Sequence, residues 1–324
     1  MNRHCAFGVK LSVAVLCAGA VTAENTTDPV DLRLKWEVGK RYVMRVENSQ
    51  EMAITVMPGA EPMKQSGRHS FTLAVAVPRA LPEGGRELEM TYLDAAFSMN
   101  MGGRSVSFDS RSQEPAGADN PLAAVSKMVG ARITCRLDSE GRIQTVEGLK
   151  EFSARMTEDN PQVAQMLEGF LNAESFKRSF GGYFGLHWLP RRAVKLGENW
   201  TVEDEVPVGA LGTFVSRIDY KFEEWKNDQA VLTCSGSLSS RPADPIEQGG
   251  VTIGITIENG RIGGRTLFDP QRGAITSSTL ETAADLRVTV KGPDGVTRNM
   301  DQKLNQKYSA ELVRVEDLEQ PADD

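Results

Sequence analysis

Apolar and polar side chains alternate along most of this chain. Tyr42, Met44 and Val46 share one parity, with Val43, Arg45 and Glu47 on the other. Met52, Ile54 and Val56 continue the pattern, as do Phe71, Leu73, Val75 and Val77, then Leu88, Met90 and Tyr92, then Val106 and Phe108. Later in the chain, Phe214, Ser216, Ile218, Tyr220 and Phe222 alternate with Val215, Arg217, Asp219 and Lys221, and Val251, Ile253, Ile255 and Ile257 with Thr252, Gly254 and Thr256. A period of two is what an antiparallel strand with one buried and one wet face requires. About a dozen strands are expected. Turn residues punctuate them at Pro58-Gly59, Glu83-Gly84-Gly85, Gly102-Gly103, Glu140-Gly141, Asn259-Gly260 and Gly292-Pro293-Asp294-Gly295. Asn259-Gly260 is the strongest hairpin signal, because both residues tolerate positive φ.

A helical period appears in two places only. Asn120 and Pro121 can open a short helix with Leu122, Val125 and Val129 on its apolar face, stopped by Gly130. A longer helical insert is expected at about residues 148–180. Leu149, Phe152 and Met156 begin it, and Asp159-Asn160-Pro161 starts a second helix with Val163, Met166, Leu167, Phe170 and Leu171 on one stripe. The fold class that follows is mainly β: a large curved antiparallel sheet or half-barrel closed by that insert. Its halves, residues 31–147 and 190–316, form a single domain joined by a helical connector. Val38-Gly39-Lys40-Arg41-Tyr42 is loosely like Leu196-Gly197-Glu198-Asn199-Trp200, and Gly141-Arg142-Ile143 like Gly260-Arg261-Ile262, too weakly for a repeat.

The first residues change the picture from fold to destination. Arg3 and Lys10 precede an apolar run from Leu11 to Val21, and Val21-Thr22-Ala23 offers small residues where a signal peptidase cuts. Residues 1–23 are expected to be a cleaved signal peptide and residues 24–30 a flexible linker, with the product periplasmic or extracellular. An acidic tail, residues 317–324, ends the chain. The whole has 37 basic and 44 acidic side chains, and the signal peptide holds two of the basic ones and none of the acidic. That acidity points away from nucleic acid. No later stretch has the roughly 20 apolar residues of a membrane span.

Candidate chemistry is sparse. After cleavage two cysteines remain, Cys135 and Cys234, both on the apolar parity of their strands. An oxidising compartment permits a disulfide between them; two buried thiols packed as small hydrophobes is the other reading. The two remaining histidines are His69 and His187, and there is no Gly-x-Ser-x-Gly elbow, CxxC pair, HExxH or calcium-loop pattern. No catalytic residue, metal ligand or cofactor is assigned, and the chain is read as non-enzymatic.

Rings crowd one segment, Gly181 to Pro190, which holds Tyr183, Phe184, His187 and Trp188. Two readings stay open. Val163, Met166, Leu167, Phe170 and Leu171 can line a lid over an apolar cavity, with Tyr183, Phe184 and Trp188 at its rim and a lipid or other apolar ligand beneath. Alternatively the segment is a buried crossover that packs the helices on the sheet.

Lys195-Leu196-Gly197-Glu198-Asn199-Trp200, the Asp138 to Ile143 hairpin, Trp36 to Tyr42 and Phe268 to Gly273 resemble an uncharacterised family of exported bacterial β-rich proteins, DUF6263-like. The resemblance covers about residues 31–316 and implies no activity, substrate or catalytic residue. A more distant architectural likeness is to periplasmic lipoprotein carriers, whose curved sheet is covered by helices over an apolar cavity. The functional expectation is an exported envelope protein that binds an apolar ligand or partner in a concave β face. The alternative is a structural or interaction protein of the envelope with a fully packed interior.

Overall fold

A computed structural model describes residues 28–56, 59–112, 126–157, 172–207, 212–241, 246–248, 251–292 and 295–318. The expected signal peptide, most of the 119–129 helix, the stripe from Val163 to Leu171 and the tail beyond Leu318 lie outside these residues.

The strands are β1 (Lys40–Thr55), β2 (Met63–Ala80), β3 (Arg86–Met101), β4 (Arg104–Asp109), β5 (Arg132–Leu137), β6 (Ile143–Glu147), β7 (Asn199–Pro207), β8 (Thr213–Lys226), β9 (Gln229–Arg241), β10 (Ile246–Gln248), β11 (Val251–Ile257), β12 (Gly260–Asp269), β13 (Ala274–Lys291) and β14 (Thr297–Asp317). Between β6 and β7 come helices α1 (Leu149–Thr157) and α2 (Ala173–Tyr183). All fourteen strands join one antiparallel sheet in the order β6-β5-β3-β2-β1-β14-β13-β12-β9-β8-β7, with β4 added to β3, and β10 and β11 added through β13. The sheet is curved and open, as the alternation implied.

The turns follow backbone chemistry. Asn227 and Asp228 both take positive φ, 51° and 59°, in the two-residue link from β8 to β9, which is the geometry of a type I′ hairpin. Gly102 and Gly103 do the same between β3 and β4. Asn259-Gly260 does not, which corrects the hairpin expected there. β11 and β12 do not pair with each other; both run antiparallel to β13, one after the other, as a single interrupted strand. Neither residue has positive φ. Gly260 is required for another reason: a Cβ there would lie 2.1 Å from the Leu238 carbonyl oxygen of β9. The two Gly-Arg-Ile stretches therefore differ in role, since Gly141 does sit in a hairpin turn with φ 78°.

Two clusters hold the fold. The larger packs Tyr42, Met44 and Val46 of β1, Leu73, Val75 and Val77 of β2, Leu88 and Met90 of β3, and Ile133, Cys135 and Leu137 of β5 under both helices. α1 contributes Leu149, Phe152 and Met156, the three positions its spacing marked, and α2 contributes Phe180. The smaller cluster joins Phe222, Leu232, Phe268 and Ile275 to Leu32, Leu189 and Val194. Strand-like hydrogen bonds between Val30 and Val194 tie the N-terminal segment to the chain that leaves α2.

Candidate functional site

Register, rather than sequence proximity, builds the site. One row of paired residues crosses the middle of the sheet on its concave face: Asn48, Tyr308, Leu280, Gly264, Cys234, Tyr220 and Trp200, on β1, β14, β13, β12, β9, β8 and β7. The side chains of this row at β8, β9, β13, β14 and β1 line a cleft of about 800 Å³. Ile218, Thr266, Ser278, Thr282 and Gln306 extend its floor. Apolar and polar groups are thus mixed. Thr266 and Ser278 hydroxyls bond each other at 2.9 Å, and Asn48 Oδ1 is buried at the floor without a hydrogen-bond partner among the described residues.

Curvature brings the sheet's two ends to the same cleft. Ile143 of β6 and Val202 and Asp204 of β7 all line it. α2 and the chain after it cover the gap. Asn172 starts α2 by accepting a hydrogen bond from Ser175 N at 2.9 Å. The helix runs on through Gly181 and Gly182, which the sequence suggested lay beyond it. Its end is held by rings: His187 Nε2–H donates to the Lys177 carbonyl at 3.1 Å, and Trp188 Nε1–H to the Gly182 carbonyl at 3.2 Å. Gly181 makes room for this, because a Cβ there would sit 2.0 Å from the His187 ring. Trp200 Nε1–H then donates to the Trp188 carbonyl at 2.8 Å. Trp188, Tyr220 and Trp200 stack face to face, with centroids 4.9 and 5.7 Å apart and tilts of 5° and 11°.

The α2 side of the cleft is cationic. Arg142, Lys177, Arg178 and Arg191 line it, together with one α2 carboxylate, Glu174. Lys177 pairs with Glu174 at 2.9 Å, and Arg142 and Arg191 both pair with Glu140. Arg178 is half-buried and forms no hydrogen bond or ion pair among the described residues. Burial pushes the Tyr220 phenol up, helped by Cys234, and pushes the Cys234 thiol up to about 11.

Of the sequence-marked rim, Trp188 lines the cleft and Phe184 does not. Phe184 is buried in the larger cluster, with ring centroids 4.5 Å from Phe180 and 5.7 Å from Trp36. This corrects its placement at a rim: the end of α2 turns it toward β1. Tyr183 is the last residue of α2, and its side chain lies outside the described residues, as do Val163, Met166, Leu167, Phe170 and Leu171. Cys135 and Cys234 are free thiols, on strands with six others between them in the sheet. The two thiols are not joined, and the packed-thiol reading describes Cys135 alone, since Cys234 is half-buried at the cleft: parity placed them on apolar faces but could not place their strands. Sequence reading missed Tyr308, Leu280, Asn48 and Arg178, which come together only through long-range pairing. Among the described residues, no three His, Cys, Asp or Glu side chains gather as a metal group, and no helix is long and apolar enough to cross a membrane.

An open, curved β-sheet with a cleft on its concave face defines the class of protein. The chain belongs to a family of unknown function (DUF6263), whose sequence pattern matches residues 83–275. No curated protein matches it. Among solved structures, a lipovitellin described by its lipid–protein interactions is similar at 11% identity and TM-score 0.46, over 90% of this chain and 27% of that one. DynF, from the dynemicin biosynthesis pathway of Micromonospora chersina, is similar at 9% identity and TM-score 0.20, over 93% and 92%. An outer membrane channel from Pseudomonas putida F1 follows at 9% identity and TM-score 0.22, over 89% and 99%. This chain therefore spans about a quarter of the lipovitellin chain's length.

Proposed function

We propose that this protein is an exported, non-catalytic component of the cell envelope that holds a ligand with a substantial apolar part in the concave face of its sheet. The carrying observation is the cleft of about 800 Å³ between that face and α2, a size within the usual range of about 300–1,000 Å³ for small-molecule sites. Ile218, Leu280, Tyr308 and Tyr220 offer apolar surface for it, and each buried methylene of an acyl chain contributes about 0.8 kcal/mol. Export rests on the charged, apolar and small-residue pattern of residues 1–23. Non-catalytic behaviour is supported by the occupied Nε2 of His187 and by a Cys234 thiol that stays protonated at neutral pH.

A fluorescent fatty-acyl probe tests the reading. The full protein is expected to bind it one to one, and unlabelled fatty acid to displace it. Thr282→Trp, which fills the cleft floor, is expected to abolish binding while the protein remains folded by circular dichroism. Failure of the unmodified protein to bind any acyl probe would replace this reading with the packed-interior envelope protein.

A further inference from the structure

We propose that Arg178 receives the anionic head of the ligand, so that the cleft selects an acidic amphiphile: a carboxylate or phosphate at the end of an acyl chain. This rests on the apolar-ligand reading above and adds the polar end to it. Four cations line the α2 side, and three of them already have carboxylates. Arg178 is the exception among the described residues, half-buried at the cleft with all five guanidinium donors uncommitted. Partial burial of an unpaired charge is costly, and a planar fork of donors fits a carboxylate or phosphate edge-on.

Charge across the cleft sets direction. Glu203 and Asp204 of β7 line the opposite wall. Glu203 is matched by Arg217, while Asp204 has no ion-pair partner among the described residues. An anionic head is repelled from β7 and attracted to α2. The floor between them presents Leu280, Tyr308 and Ile218 to an acyl chain. A neutral lipid would leave Arg178 unpaired in a cleft that the lipid has emptied of water, which weakens its binding relative to an acid of equal chain length.

Dodecanoate, dodecyl phosphate and methyl dodecanoate separate the possibilities when titrated against the full protein by calorimetry. The acids are expected to bind at least about tenfold more tightly than the ester, the worth of one charged hydrogen-bonding group. Arg178→Gln should bring the acids down to the ester's affinity, and Arg178→Lys should restore part of the difference. A tighter carboxylate or a tighter phosphate each supports the assignment and names the head. Equal binding of acid and ester by the unmodified protein would overturn it while leaving the apolar-ligand reading intact. So would a preference that survives in Arg178→Gln. Binding of none of the three would remove the underlying reading itself.

Discussion

The two halves of the sheet are built from the same alternating strands yet treat the middle of their concave faces in opposite ways. In the first half the inward side chains of β1, β2, β3 and β5 in the core are mostly Val, Leu, Ile and Met, with Tyr42 and Cys135 among them, and α1 and α2 are pressed onto them. In the second half Phe222, Leu232 and Phe268 are covered at one end by Leu32, Leu189 and Val194, but the inward positions along the middle are Ser278, Thr266, Cys234 and Gly264 interspersed with Leu280 and Tyr220, and the space above them is the cleft. Large aliphatic side chains left wet are unfavourable in proportion to their area, so they demand a covering layer. Hydroxyls and glycines make no such demand, because water satisfies the former and the latter expose little apolar surface. A hollow can therefore be written into a strand without loss of its pairing: the ladder is backbone, and the inward residue decides only whether something must sit on top.

Substitution in the filled half should show the contrast most strongly. Phe152 is buried and stacks on Tyr92 with centroids 5.8 Å apart. Phe152→Ala is expected to lower unfolding free energy by about 3–5 kcal/mol, measured by urea denaturation, because it opens a cavity under α1. Leu280→Ala, a half-buried side chain in the cleft, should cost under about 1 kcal/mol in the absence of ligand. Equal losses at the two sites would end the distinction between a filled and a hollow half.

A middle-sized effect lies on the other face of the filled half. Glu87 is buried and accepts two hydrogen bonds of 2.8 Å from Arg79, with Arg136 at 3.3 Å. The Arg79 hydrogen bonds, with Arg136 assisting against burial, hold its carboxyl below the usual glutamate range. A carboxylate lowered in the folded state stabilises fully above the unfolded value, and that contribution is lost as pH falls through the folded one. Glu87→Gln should cost about 1–2 kcal/mol at neutral pH, since both arginines are partly exposed. It should also flatten the acid limb of a stability–pH curve. An unchanged acid limb would show that Glu87 does not titrate with folding.

The smallest effect is a matter of rates. Cys135 is 1% exposed with its thiol pushed up to about 12, while Cys234 is half-buried at the cleft. Native protein treated with iodoacetamide at pH 8 should label slowly at Cys234 and far more slowly at Cys135, with both labelled after unfolding without reductant. Protection of Cys234 by bound acyl ligand would tie the thiol to the occupied cleft. An unlabelled pair in unfolded, unreduced protein would restore the disulfide.

Much of the sheet was legible because a period of two is a local signal. The strands around Tyr42, Leu73, Leu88 and Tyr220 needed only their own parity, and α1 needed only the spacing of Leu149, Phe152 and Met156. The site was not legible, because its members are assembled by pairing across most of the chain. Asn48 and Cys234 meet one cleft through four intervening ladders, and nothing near either residue announces that. Lys177 and Arg178 look like the wet face of an ordinary helix until α2 is placed over the gap between β6 and β7. Asn259-Gly260 misled for a related reason: its glycine serves the approach of β9, not the local turn. One trace was available. The run Thr233 to Ser237, like Thr276 to Thr279, puts small and hydroxyl-bearing residues where a filled half would place aliphatic ones.

β14 pairs on one side with β13 and on the other with β1, so the last strand lies between the two halves. Its register with β1 joins Lys40 to Asp317, and Leu318 N bonds the Gly39 carbonyl at 2.7 Å. Time enters here. Hairpins such as β8–β9 can zip as soon as they exist, but the seam that unites the halves must wait for the far end of the chain and then close a loop of nearly the whole domain. Such closure makes for slow folding. Until it happens, β1 and β14 each present a long unpaired edge, the kind of surface on which separate chains aggregate. The same seam that makes the finished sheet continuous leaves the unfinished one exposed for longest.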